Sequence, residues 1–195
     1  MTICAYYEPV PGLEEPELVD AWAKTWRAHG WDPVVLSERD AMRHPRYRFF
    51  KHHPHVKASS NLADYERACF LRWCAAAVMG TNWLCDYDVL NYGWTPDEAQ
   101  RLPFPAAVVE TLTGSACPAL HRCWNRERVI EVFADLLACG VTPGDGVSDQ
   151  NYLGHCPELV QTLPLCAEPG DAGWETARLG HWCNRLTPRP RLETI

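Results

Sequence analysis

The sequence predicts an α/β fold in a single domain, and two observations carry this prediction. Short β-prone runs alternate with stretches of helical periodicity from the first residues onward, an order typical of a sheet covered by helices. With 195 residues, 47 % of them hydrophobic, the chain can bury about 70 % of its unfolded surface without a disulfide or metal staple. We therefore expect one globular domain over residues 1–195.

The first 36 residues are predicted to form one βαβ unit. Thr2–Tyr7 is a short β-prone run, and the Pro9–Pro11 turn follows it. The next stretch is an amphipathic helix with an apolar face made of Leu18, Ala21, Trp22, Thr25 and Trp26. Gly30 ends this helix, and Trp31–Leu36 is the second strand. In such units ligands bind beyond the carboxyl ends of the strands.

The segment between the βαβ unit and the next helix is basic and rich in turn residues. Residues 39–60 contain four histidines and two prolines, so we expect a long connection rather than a regular element. A helix then follows, with an apolar stripe at three- and four-residue intervals made of Leu62, Tyr65, Cys69, Trp73, Ala76 and Ala77. Asn61 or Ser60 can cap its start, and Gly80 ends it.

Four further elements are predicted after the acidic pair Asp86 and Asp88. Thr95 is a helix cap with Glu98 in the capping-box position, and Ala106–Val109 is a strand. Residues 124–139 have helical periodicity that ends at Gly140. Ser148 can cap a short helix that begins with Asp149 and Gln150.

Two carboxylates one residue apart, Asp86 and Asp88, follow the apolar run Trp83–Cys85. Alternate residues of a regular strand point to opposite faces, so both can reach one ion only where the strand ends or bends. Oxygen ligands select Mg²⁺ or Mn²⁺, which keep waters and share phosphate oxygens of a substrate. The pair therefore predicts a divalent ion with a nucleoside diphosphate, and the alternative is an acidic strand end without a ligand.

Two arginines lie on the helix that precedes this acidic pair. Arg67 or Arg72 could clamp a carboxylate or a phosphate with its guanidinium fork. Either could equally be a solvated helix arginine.

Four motifs in order resemble nucleotide-sugar-dependent glycosyltransferases of the GT-A fold. They are Tyr65-x-Arg67, Asp86-Tyr-Asp88, Ser148-Asp149-Gln150-Asn151-Tyr152-Leu153 and Leu179-Gly-His181-Trp182. The order is similar to that of the glycogenin-like and lipopolysaccharide galactosyltransferase family, and the spacing Asp64-x-x-Arg67 also resembles the DxD sugar-binding, mannosyltransferase-like group. The resemblance implies a GT-A-like (Rossmann-like) mixed sheet flanked by helices.

The resemblance also implies roles for particular residues. Mn²⁺ or Mg²⁺ would be held by Asp86, Asp88 and His181, and a UDP-sugar donor by the residues Tyr6, Tyr7, Arg67, Asp86 and Asp88. Asp149 and Gln150 would lie beside the donor sugar as catalytic residues, with Asp149 as general base if the reaction inverts the anomeric centre. Residues 1–90 would be the nucleotide-binding half, and residues 91–195 the acceptor half with a metal-binding tail.

Two other classes of function stay open at this stage. A nucleotidyltransferase also combines an acidic pair with a nucleotide and a metal, although no Gly-rich phosphate loop follows the first strand. A non-catalytic, zinc-stabilised binding module could use the cysteine and histidine cluster Cys117, His121, Cys123, His155 and Cys156. A metal site at His52, His53 and His55 is a further alternative.

Composition and charge set the expected compartment and partners. The sequence predicts neither a signal peptide nor a membrane span, and its ten cysteines lack the Cys-x-x-Cys spacing of common zinc sites. We therefore expect a cytoplasmic protein with free thiols. The net charge of −7 argues against general binding to nucleic acid or anionic membrane. The basic segment 43–57 leaves one alternative open, an anionic acceptor such as a modified nucleic-acid base.

Overall fold

The computed structural model describes residues 1–9, 14–57, 63–102, 106–110, 116–123, 125–141, 147–155, 161–163, 166–167 and 178–181. The strands are β1 (Thr2–Tyr6), β2 (Asp32–Leu36), β3 (Trp83–Cys85), β4 (Val89–Asn91), β5 (Ala106–Glu110), β6 (Ala116–Cys123), β7 (Gln161–Leu163), β8 (Cys166–Ala167) and β9 (Leu179–His181). The helices are α1 (Pro16–Ala28), α2 (Glu38–Ala41), α3 (Tyr47–His52), α4 (Pro54–Lys57), α5 (Ala63–Met79), α6 (Pro96–Gln100), α7 (Arg126–Ala138) and α8 (Asp149–Leu153).

The strands form a large mixed sheet and a small one. The large sheet has the order β2-β1-β3-β6-β5-β7, in which β1 is parallel to β2 and β3, while β6 runs antiparallel to β3 and β5. The small sheet has the order β4-β9-β8. The predicted α/β class, with a mixed sheet and flanking helices, is confirmed.

Strands β1 and β3 of the large sheet are buried on both faces, and strand alternation decides which core each of their residues joins. Cys4 and Tyr6 of β1 pack in one core with α5, α7 and α8. Ile3 and Ala5 pack in the other, together with the tryptophans of α1 and of the β3–β4 region. Because successive strand side chains point to opposite faces, one five-residue strand contributes to both cores. The two cores therefore belong to one domain.

Most predicted elements are present, and their caps explain their starts. Glu98 N–H donates to the Thr95 hydroxyl, and Glu98 accepts from the Thr95 backbone N–H, which forms the predicted capping box of α6. Ser148 caps α8 by accepting a hydrogen bond from Asn151 N–H at 3.1 Å. The predicted caps at Ser60 and Asn61 and the Pro9–Pro11 turn fall wholly or partly outside the described residues.

The prediction that residues 39–60 form an irregular connection is wrong, because α2, α3 and α4 lie there. The Ser37 backbone N–H donates to Asp40 Oδ2 at 2.9 Å and starts α2. Phe50 of α3 and Val56 of α4 are then fully buried in the core around α5. Tertiary packing thus stabilises helices too short to persist alone.

Helix α5 is more deeply buried than a single apolar stripe predicts. Its central residues, Phe70, Leu71, Trp73, Cys74, Ala75 and Ala76, are each at most 2 % exposed. Tyr65, which the periodicity placed on the apolar stripe, is 46 % exposed. The reason is that α2, α3, α4, α7 and β1 all pack around this helix, so only its two ends are exposed, at Asp64 and Tyr65 and at Met79.

Phe133 of α7 provides a test of this packing. Its ring lies 5.7 Å from Phe70 and 5.4 Å from Trp73, centroid to centroid, and it is fully buried. We expect Phe133→Ala to lower the free energy of unfolding by about 3–5 kcal/mol, through lost burial and the cavity left behind. The exposed Glu131→Ala on the same helix is the control, with an expected change within about 0.5 kcal/mol. Equal urea midpoints for the two variants would contradict the packing described.

Candidate functional site

The acidic pair lies in the turn that carries the chain from the large sheet to the small sheet. Strand β3 ends at Cys85 and β4 begins at Val89. Asp86 N–H donates to Ala119 O of β6 at 2.6 Å, and Val89 N–H donates to Asp86 O at 3.1 Å across the turn. The prediction that the strand ends at this pair is confirmed. Because Asp86 and Asp88 lie outside a regular strand, their side chains need not point to opposite faces.

Arg72 of α5 joins Asp86 to Asp149. Its Nη1 donates to Asp86 Oδ1, while its Nε and Nη2 donate to Asp149 Oδ2 at 2.9 and 2.6 Å. Arg72 is 8 % exposed and Asp149 2 % exposed, whereas the Asp86 side chain keeps 27 % of its surface in solvent. One guanidinium therefore connects a buried carboxylate with a carboxylate that a ligand can reach.

The charge state of Arg72 follows from these contacts. Burial by itself lowers the pKa of a guanidinium, but the charges of Asp149 and Asp86 outweigh burial and raise the pKa of Arg72 well above its usual value. Arg72 therefore stays charged although it is buried, because its ion pairs with the two carboxylates offset the cost of its desolvation. The interpretation of Arg72 as a solvated helix arginine is wrong.

A second layer of buried polar and aromatic groups supports Asp149. Trp73 Nε1 donates to Asp149 Oδ2 at 2.9 Å, and the Trp73 ring stacks on His121 with centroids 4.3 Å apart. Arg126 Nη1 donates to His121 Nε2 at 2.8 Å, and its guanidinium carbon lies 5.3 Å from the Trp73 ring centroid. Burial lowers the pKa of Arg126 to about 10. Asp149 thus sits at the end of a packed network that fixes its orientation.

A cleft of about 170 Å³ opens beyond the carboxyl ends of β1 and β2. Its lining is mostly polar and charged: Tyr6, Glu8, Pro9, Glu38, Lys51, Asp64, Arg67, Ala68 and Leu71. Parallel strands β1, β2 and β3 end at the same sheet edge, so the cleft and the acidic turn share that edge, which is where ligands of open α/β sheets bind.

Two connections tie the cleft to the acidic turn. Leu71 lines the cleft, and the next residue, Arg72, binds Asp86. Tyr6 lines the cleft, and the next residue, Tyr7, contacts Tyr87 edge to face at a centroid distance of 5.2 Å. The Tyr7 hydroxyl also accepts a hydrogen bond from Glu15 N–H at 3.0 Å. The two parts are therefore joined through consecutive residues of α5 and of the end of β1.

Ion pairs neutralise most of the charge within the cleft. Lys51 Nζ lies 2.5 Å from Glu38 Oε1, and Glu38 also accepts from the Tyr47 hydroxyl. Burial raises the pKa of the Glu38 carboxyl, but Lys51 and Tyr47 outweigh burial and lower it overall. Burial and Glu38 raise the pKa of Tyr47 to about 12. A second ion pair joins Arg67 Nη1 to the carboxylate of Asp64.

Two buried polar atoms at this cleft lack a hydrogen-bond partner among the described residues. They are the Tyr6 hydroxyl and Arg67 Nε. Burial and the nearby Glu8 raise the pKa of Tyr6, so its hydroxyl is protonated and can donate. Buried polar groups without a hydrogen-bond partner are costly in a folded protein.

Two predicted site residues, Gln150 and His181, lie near the residues described above. Gln150 is half-buried on α8 beside Asp149. The backbone of His181 pairs with Val89, one residue after Asp88, in the small sheet. The described residues contain no group of three His, Cys, Asp or Glu side chains that could hold a metal by themselves. Cys156 of the alternative zinc cluster lies outside them, and His121 of that cluster is bound by Arg126.

The sequence did not predict the contacts that three residues make at the site, namely Arg72, Glu38 and Lys51. Arg72 lies three residues after Cys69 and seven after Tyr65, on the predicted apolar stripe, and an arginine at such a position signals a buried carboxylate partner. Glu38 and Lys51 gave no comparable signal, because their segment was not expected to fold into helices.

A family model described as "Domain of unknown function (DUF8765)" matches residues 12–102. The matched segment contains Arg72, Asp86 and Asp88 and most of the cleft lining, whereas Asp149 lies beyond it. No curated protein matches the chain. Among the helices that the structure describes, none is long and apolar enough to cross a membrane.

Replacing Arg72 tests the central ion pair. Arg72→Met leaves Asp149 buried without its cation, and we expect a loss of about 3–5 kcal/mol in the free energy of unfolding. The double variant Arg72→Met with Asp149→Asn removes both charges, so it should recover a large part of that loss. The exposed Arg128→Met is the matched control, with an expected change within about 0.5 kcal/mol. A single variant as stable as this control would show that the pair does not form.

The lowered pKa of Glu38 gives a pH-dependent prediction. A carboxyl whose folded pKa lies below its unfolded value of 4.5 stabilises the fold above that value and loses this effect as the pH falls. The difference in unfolding free energy between the wild type and Glu38→Gln should therefore be complete at about pH 7 and shrink toward about pH 3. Urea unfolding across this range measures it. A constant difference would show that Lys51 does not hold the carboxylate.

Proposed function

We propose that this protein transfers a glycosyl group from a nucleoside diphosphate sugar to a hydroxyl acceptor, with Mn²⁺ or Mg²⁺ at Asp86 and Asp88. The observation that carries the proposal is the acidic turn at the end of β3, which opens to solvent beside a polar cleft on the same sheet edge. The mixed sheet flanked by helices agrees with the GT-A-like plan that the sequence resemblance implies.

The described carboxylates fit a divalent ion that shares its coordination with a substrate. Asp86 has one oxygen on Arg72 and part of its side chain in solvent, and Asp88 is next to the strand that pairs with β9. Two carboxylates are sufficient protein ligands for Mg²⁺ or Mn²⁺, because such ions normally complete their shell with waters and phosphate oxygens. When bound, the ion would stabilise the charge that develops on the leaving diphosphate.

The register of the small sheet supports the proposed third ligand. Strand β9 ends at His181, whose backbone lies opposite Val89. The segment that the resemblance assigns to the metal thus returns to the acidic turn from a distant part of the sequence. This placement supports His181 in the proposed metal site.

Arg72 and Asp149 have a defined part in this proposal. Arg72 carries a fixed positive charge at the edge of the acidic turn, where it can orient Asp86 and attract the donor diphosphate. Asp149 directs its Oδ2 to Arg72 and Trp73, and it is almost fully buried. These contacts favour Asp149 as the residue that positions Arg72, and they disfavour it as the general base, which must reach the acceptor hydroxyl.

The binding test uses thermal stability of the purified protein with nucleoside diphosphates and Mn²⁺, with and without chelator. A diphosphate at a hundredfold excess over its Kd should add about 2.7 kcal/mol of stability, which corresponds to a rise of roughly 5–10 °C in Tm for a chain of this size. Chelator should abolish the rise. Asp88→Asn should abolish it too, while the exposed control Asp97→Asn should retain it.

Other outcomes identify the competing functions. No shift with any diphosphate, together with a loss of stability on chelation alone, would overturn the transferase proposal in favour of a metal-stabilised module. Release of pyrophosphate from a nucleoside triphosphate, without hydrolysis of any diphosphate sugar, would identify a nucleotidyltransferase. Slow metal-dependent hydrolysis of one diphosphate sugar to its nucleoside diphosphate is the result that the proposal requires.

A further inference from the structure

The cleft beside the acidic turn has one carboxylate more than it has cations. Glu38 is paired with Lys51, and Asp64 with Arg67. Glu8 remains, and its one hydrogen bond within the described part of the chain is that of its Oε2 with Glu38 N–H at 3.0 Å. A negatively charged group such as the diphosphate is therefore disfavoured in the cleft, whereas a neutral group with N–H donors is favoured.

From this imbalance we propose that the cleft holds the base of the donor nucleotide and that Glu8 makes it prefer guanine to uracil. This inference rests on the proposed function and names the substrate class within it. The sequence resemblance implies a uridine donor instead. The preference for guanine follows from the carboxylate of Glu8 and the ammonium group of Lys51, which meet different hydrogen-bonding groups on the two bases.

The hydrogen-bonding edges of the bases provide the discrimination. Guanine presents two adjacent donors, N1–H and the 2-amino group, beside the acceptor O6, and uracil presents a single N3–H between two carbonyl oxygens. A carboxylate offers acceptors alone, so Glu8 can meet both guanine donors. Against uracil, one of its oxygens would face a carbonyl oxygen. Charge-assisted bidentate pairs of the first kind are strong and directional.

The cleft also contains hydrogen-bond donors for the acceptor O6 of guanine. Lys51 directs its ammonium toward Glu38, but an ammonium carries three N–H donors, so donors remain for a ligand. The Tyr6 hydroxyl and Arg67 Nε are buried at the same cleft without a partner among the described residues. Hydrogen-bond donors and a carboxylate with no cation partner among the described residues thus line the same cleft.

The size and walls of the cleft agree with one base rather than a whole ligand. Its volume of about 170 Å³ is below the roughly 300–1,000 Å³ of pockets that enclose drug-sized molecules. Pro9, Ala68 and Leu71 contribute apolar surface to the lining, against which a flat ring can pack. The sugar and diphosphate would then extend toward Asp86, on the side where Leu71 is followed by Arg72.

The test is isothermal titration of the full chain with GDP, UDP, CDP and ADP in the presence of Mn²⁺. We expect GDP to bind about tenfold to a hundredfold more tightly than UDP, the range of one charged hydrogen bond gained or lost. Glu8→Gln keeps an oxygen for Glu38 N–H but turns an amide N–H₂ toward the ligand. This variant should lose at least tenfold in GDP affinity and gain in UDP affinity.

Controls separate base recognition from folding and from the proposed function itself. Glu17→Gln on the exposed face of α1 should leave the ranking unchanged, and Tm without ligand reports whether each variant folds. Tighter binding of UDP by the wild type, or an equal loss of GDP and UDP in Glu8→Gln, would overturn the guanine inference and leave the transferase proposal standing. Binding of no diphosphate would overturn both. The wild-type ranking alone decides the question if Glu8→Gln does not fold.

Discussion

The ion pair of Arg72 with Asp149 and Asp86 is the constraint on which the candidate site depends. A guanidinium buried to this degree persists only because its hydrogen bonds to two carboxylates compensate its lost hydration. These ion pairs join helix α5 to the β3–β4 turn, which follows the next strand, and to the start of α8, far along the chain. Fixing Arg72 therefore fixes the orientation of Asp86, and with it the edge of the site that a ligand would meet.

Helix α5 serves both parts of the site because it is buried over most of its circumference. One side supplies Arg67, Ala68 and Leu71 to the cleft, while Arg72 and Trp73 turn toward the buried network. Neighbouring residues on a helix point in directions about 100° apart, so consecutive positions can reach the two parts. Movement of this helix would change the cleft and the acidic turn together. The core that holds this helix, with α7 and α8, thus also determines the site's geometry.

Under the proposed function, the cleft and the acidic turn would bind differently charged parts of a nucleotide ligand. The turn combines two carboxylates with a buried cation and suits a metal with a diphosphate. The cleft pairs its cations internally and keeps one carboxylate, Glu8, so it suits an uncharged group with donors. A diphosphate sugar with its base attached has this distribution of charge. This arrangement of charges is compatible with the class of ligand that the proposed function names.

The sequence by itself determined the features that depend on local periodicity and capping. It predicted the α/β class, the caps at Thr95 and Ser148, and the end of a buried strand at Asp86, because apolar runs, capping boxes and strand termini are encoded within a few residues. Only the tertiary structure decided that residues 38–57 fold into three helices against α5, that Arg72 is buried between Asp86 and Asp149, and that Glu8 is the cleft carboxylate with no cation partner among the described residues. Each of these depends on contacts between segments far apart in the chain, and the desolvation that gives such contacts their strength exists only once the fold has excluded water.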